Sequence, residues 1–130
     1  MFTYTELFVD WAPFLVRLAV GVIFVLHGYP KLFGGFTQTA QFFESIGLRP
    51  AKFWTLVVGA VEFFGGLALL VGFLTQYAAL LITIDMLGAI LLVRRKFVGG
   101  WEFDFVLLMA ALSLALSGAG AWSVDSTIGL

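Results

Sequence analysis

Four apolar runs divide the chain, and short clusters of polar and glycine residues separate them. The runs extend from about Pro13 to Phe33, Ala51 to Phe73, Thr75 to Val93 and Trp101 to Ser117. At a rise of about 1.5 Å per residue, runs of this size match a hydrocarbon layer about 30 Å thick. The pattern predicts an all-α integral membrane protein, a bundle of four antiparallel transmembrane helices forming one domain over residues 1–130. Pro13 and Pro50 sit at predicted helix starts, where the missing N–H is harmless. Only Gly72 to Gln76 links runs two and three, which allows nothing but a tight antiparallel hairpin. Between runs one and two, Thr37, Phe42, Phe43, Ile46 and Gly47 read as a cap, an apolar stripe and a stop, so a short helix lying in the membrane interface is expected there.

Composition supports the membrane assignment and narrows the chemistry. The chain is 62% hydrophobic and 12% charged, against roughly 45 to 50% and 25% for soluble domains. A net charge of -1 offers no basic surplus for nucleic-acid phosphates. With no cysteine, disulfides and thiol relays are unavailable, and no metal-ligand spacing appears. Glu6 and Asp10 stand where a cleavable signal would need positive charge, so the first helix is expected to remain attached. Six of the seven basic residues, Lys31, Arg49, Lys52, Arg94, Arg95 and Lys96, fall in or beside loops one and three. The positive-inside rule therefore predicts both termini outside the cytoplasm, for a protein expected in a prokaryotic plasma membrane.

Glu62 and Asp85 each lie about ten residues inside an apolar run. An acid at that depth costs about 2.5 to 3.5 kcal/mol without a partner in the protein. Gly59, Glu62 and Gly66 share one helical face, as do Asp85, Gly88 and Ala89, and Arg17, Gly21, Phe24, Gly28 and Lys31 share a stripe on the first run. Gly21, Gly28, Gly59, Gly66 and Gly88 are thereby candidate helix-packing positions. A buried polar cluster of Arg17, Glu62 and Asp85 is expected, with Arg17 paired to Glu62 or Asp85. One arginine does not balance two acids, so the remaining carboxyl is expected to be neutral or to share its charge. The cluster reads as a proton-handling site, as the polar end of a quinone pocket, or as a device that sets helix register. A second group, on the cytoplasmic side, joins His27, Lys31 and Glu102. Glu102 continues through Phe105, Met109 and Ser113 on one face, and Asp104 lies about 200° away.

The segments RLAVGVIFVLHGYPKLFGGF from Arg17, QFFESIGLRP from Gln41, GAVEFFGGLALLVGFLTQYAALL from Gly59 and DMLGAILLV from Asp85 resemble the DoxX family of small four-span membrane proteins. The likeness runs from about Arg17 to Asp125 and includes the closing GAWSVD. It implies a four-helix membrane bundle and a link to quinone-dependent respiratory or sulfur-oxidising complexes and to oxidoreductase assemblies. The expected function is a small membrane subunit of a quinone-linked redox system, an accessory more than a stand-alone enzyme, with quinone as the possible ligand. A scaffold subunit without catalysis and a small-solute or proton transporter are the alternatives. Expected partners are the lipid bilayer, oxidoreductase subunits or a second copy of the chain.

Overall fold

A computed structural model describes residues 11–94, 101–120 and 123–129. Among these residues the protein is helical throughout its regular structure, without strands. Helix α1 spans Trp11–Leu32, α2 Phe36–Ser45, α3 Ala51–Val71, α4 Thr75–Gly88, α5 Trp101–Ser117 and α6 Val124–Ile128. A π-helical segment, Ala89–Arg94, continues α4. Three helices, Trp11–Leu32, Ala51–Val71 and Thr75–Leu92, are long and apolar enough to cross a membrane. The 17 residues of α5 are shorter than a full span and pack along α4. The basic residues Arg95 and Lys96, and the acidic Glu6 and Asp10, lie outside the described residues.

Pairwise contacts give the register. Groups from Gly66 and Leu70 stand where a Cβ at Gly21 would point, backbone atoms of Glu62 and Phe63 face Gly28, and Lys31 and Leu32 face Gly59. The numbers fall on α3 as they rise on α1, so the two helices run antiparallel, and residues level with one another sum to about 90. Gly65 meets Ile82 across α3 and α4, and the Gln76 side chain donates to the Ala115 carbonyl at 3.2 Å across α4 and α5. Each sequential pair is therefore antiparallel.

Gly28 matters most to this register. A Cβ there would collide with the Phe63 backbone nitrogen, so α1 and α3 approach closely only because position 28 lacks a side chain. At the other end of α3, Gly72 takes the left-handed conformation (φ 73°), and the Phe73 and Gly72 N–H groups donate to the Ala68 and Leu69 carbonyls. This closure satisfies carbonyls left over at the helix end and reverses the chain into α4. The core between the helices is built from Val20, Phe24, Leu69, Ala79, Ile82 and Leu114, all at most 2% exposed. Helix α2 presents Ala40 and Phe43 inward and Phe42 outward, and it covers the loop end of α3.

Candidate functional site: a charged apolar cavity

At the α2 end, α3 and α4 are separated by a cavity of about 820 Å³. Its walls are apolar and aromatic, with Phe24, Phe43, Trp54, Val61, Met86 and Leu107 among them. Five ionisable side chains interrupt that lining: His27, Lys31, Glu62, Asp85 and Asp104. They come from four different helices, α1, α3, α4 and α5, so the bundle itself assembles them.

The organising contact is an ion pair. Lys31 Nζ lies 2.5 Å from Glu62 Oε1, with the glutamate side chain 5% exposed and the lysine 22%. Lys31 reaches inward from the last turn of α1, and its stem rests beside Gly59. Its Nζ also lies 3.4 Å from the His27 carbonyl. Asp85 faces Glu62 within side-chain interaction range and also feels the charges of Lys31 and Asp104. Asp85 Oδ2 is buried without a hydrogen-bond partner among the described residues. His27 donates from Nδ1 to the Ile23 carbonyl at 2.7 Å. That ring lies 6.2 Å from Phe103.

Arg17 does not join this cluster. The expected pairing with Glu62 or Asp85 is ruled out by register, since Glu62 is level with Gly28, eleven residues from Arg17 and about 16 Å along the axis. Arg17 is instead fully buried at the hairpin end, packed over Gly72 and Ser123, beside the Phe14 ring and in the field of Asp125. Asp125 accepts from the N–H groups of Leu74 at 2.6 Å and Thr75 at 2.8 Å, capping α4 from the far end of the chain. Leu74 holds a left-handed conformation (φ 50°) beneath that cap.

Two further corrections concern α5 and α4. Glu102 is exposed, and so are Phe105, Met109 and Ser113 on its face; the buried face carries Asp104, Leu107, Ala111 and Leu114. The expected His27, Lys31 and Glu102 group therefore takes Asp104 in place of Glu102. Among the glycines, Gly21, Gly28, Gly59 and Gly66 lie between α1 and α3, whereas nothing stands within 4 Å of a Cβ at Gly88. Gly88 borders the cavity and packs no helix. Asp104 and Asp125 are the residues that sequence reasoning left without a role. No periodic signal in the sequence singles out the face of Asp104, because α5 is apolar almost all round.

Comparison with known proteins fits this architecture. The DoxX family model matches residues 12–95. The chain belongs to the DoxX family. It is 39% identical over 113 residues to a Bacillus subtilis (strain 168) protein named "Putative oxidoreductase CatD", covering 85% of this chain and 82% of that one. Similarity extends to the uncharacterized membrane protein Rv3486 of Mycobacterium tuberculosis (strain ATCC 25618 / H37Rv), 33% identical over 85% of this chain and 77% of the relative. The inner membrane protein YqjF of Escherichia coli (strain K12) is 31% identical over 89% of this chain and 91% of its own. No solved structure matches. The DoxX chain described here is an integral membrane protein.

Proposed function

We propose that this DoxX protein binds a quinone in the α3/α4 cavity and serves as a small membrane subunit of a redox system. The observation that carries the reading is the cavity itself: about 820 Å³, apolar along its length and charged at one end. Pockets of about 300 to 1,000 Å³ with few convergent polar groups suit small ligands. The residues present fit a quinone head. Lys31 supplies an ammonium donor for a carbonyl oxygen, and the orphaned Asp85 Oδ2 lacks only a donor or a proton. A bound quinone would supply two-electron, two-proton redox chemistry at its oxygens. The chain's own contribution is to orient the head through Lys31 and to hold a proton among Glu62, Asp85 and Asp104. Three carboxyls with one ammonium give an excess of negative charge that a proton offsets. The name of the Bacillus relative, which includes "oxidoreductase", supports a redox setting.

In this reading α5 completes a fourth span, and the basic loops put the cavity end on the cytoplasmic side with both termini outside. The chain has no cysteine of its own, so Ser45→Cys and Thr127→Cys can be labelled singly. The orientation predicts labelling of the first from the cytoplasm only and of the second from outside only.

Trp54 on the cavity wall is a built-in reporter of occupancy. Titrating the protein in lipid nanodiscs with a short-chain quinone should quench tryptophan fluorescence saturably. Trp54→Phe should remove most of that signal, and Glu62→Gln should weaken binding on the order of tenfold. Linear, unsaturable quenching in the wild type would sink the quinone reading and leave a scaffold role.

A further inference from the structure

The cavity is asymmetric along its length. Its polar groups cluster where α1, α3, α4 and α5 meet, while the side between α3 and α4 is bordered by one largely exposed row on α4 and its π-helical continuation, and by the exposed Trp54 of α3. On α4 the row is Leu81, Ile84, Gly88 and Leu92, and Trp54 of α3 stands across from it. Leu81, Ile84 and Leu92 are 53%, 59% and 50% exposed. Residues that border a cavity and also face outward flank an opening; Gln38 and Phe42 of α2, and His27 and Phe103 on the α1/α5 side, do so elsewhere on its rim, and this row marks the opening between α3 and α4. In a bundle that sits in lipid, an opening between two spanning helices faces acyl chains. Gly88 lies in that row, and the space its side chain would enter is empty, so the backbone there narrows nothing. The π-helical turns that begin at Ala89 and carry Leu92 widen α4 at the same level.

The geometry points to a lateral portal between α3 and α4, with Gly88 at its threshold, that takes the tail of an amphiphile whose head occupies the Lys31, Glu62 and Asp85 end. The occupant is a quinone with a linear hydrocarbon tail running out into the bilayer. This assignment rests on the quinone reading of the cavity and adds the direction of entry and the residue that sets tail clearance. A bulky side chain at 88 fills the threshold and leaves the head site, one turn away at Asp85, intact.

The test compares two ligands with the same head, one carrying a long isoprenoid tail and one carrying none, in nanodiscs of fixed lipid composition. Affinities are expressed per mole of lipid, so that partitioning of the tail does not enter the comparison. For Gly88→Phe, the tailed ligand should bind on the order of tenfold more weakly than to the wild type, with the tail-less ligand within about twofold. Ile84→Trp and Leu92→Trp, on the exposed side of the same row, should give the same split and carry the test if Gly88→Phe fails to fold. Equal weakening of both ligands would put Gly88 at the head, and no weakening of either would put the portal elsewhere; both results overturn the inference. If the wild type binds neither ligand, the quinone reading fails with it, an outcome that the wild-type arm alone identifies.

Discussion

At each end of α1 a basic side chain turns inward, Arg17 at the hairpin end and Lys31 at the α2 end, yet the two ends are built for different purposes. Around Arg17 the acid is Asp125, and both of its oxygens receive backbone N–H groups at the start of α4. The space beside it amounts to about 120 Å³. Around Lys31 the acids are Glu62 and Asp85, one carboxylate oxygen has no donor, and the adjoining cavity is about 820 Å³. Thr75 Oγ1 at the hairpin end is likewise buried without a hydrogen-bond partner among the described residues, so the open space, more than the orphaned atom alone, separates the two ends. An incompletely satisfied group beside open space is where a ligand gains most from its own hydrogen bonds.

If the hairpin end is the structural clasp, its loss should be the most damaging change. Asp125→Ala removes the cap of α4 and leaves Arg17 buried without its acid, so unfolding in detergent should show a loss of about 3 to 5 kcal/mol. Arg17→Met should be partly rescued by Asp125→Asn and unaffected by Glu62→Gln. Rescue by Glu62→Gln would place Arg17 with the wrong acid.

The glycines sharpen the same contrast at smaller scale. Gly28→Ala drives a methyl group into the Phe63 backbone and should cost about 1 to 3 kcal/mol through separation of α1 and α3. Gly88→Ala enters empty space and should change stability by no more than about 0.5 kcal/mol. Thermal unfolding of the two variants side by side reads the difference, and equal losses would mean that position 88 is packed.

At the cavity end, Lys31→Met should destabilise by only about 1 to 2 kcal/mol, because a proton can neutralise the stranded carboxylate. Combined with Glu62→Gln the loss should shrink, with a coupling of at least about 0.5 kcal/mol. Strict additivity would dissolve the pair.

These particulars also show what a reading of the chain alone reaches. The helices were legible because their apolar runs are interrupted by Gly72 and by Pro50. The short α2 was legible from its apolar stripe. The partner of Glu62 was not. Arg17 and Lys31 are fourteen residues apart on one stripe of α1, so helical periodicity alone does not choose between them. The choice belongs to axial register, set by the close approach of Gly28 to Phe63. Helix α5 failed for a related reason. It is apolar almost all round, so its pattern does not distinguish the face of Asp104 from that of Glu102. Asp125 was invisible as a cap because fifty residues separate it from the N–H groups it holds.

The claim that one end of this DoxX bundle is a ligand site and the other a clasp is tested most directly by photo-crosslinking. A quinone bearing a photoreactive group on its head, bound in nanodiscs and irradiated, leaves adducts that peptide mass spectrometry can place. The account predicts adducts on cavity residues such as Val58, Val61 or Met86, suppressed by excess unlabelled quinone and strongly reduced in Glu62→Gln. Adducts at Leu74, Thr75 or Ala119 beside the Arg17 clasp, or spread over the outward faces of the helices without competition, would contradict it.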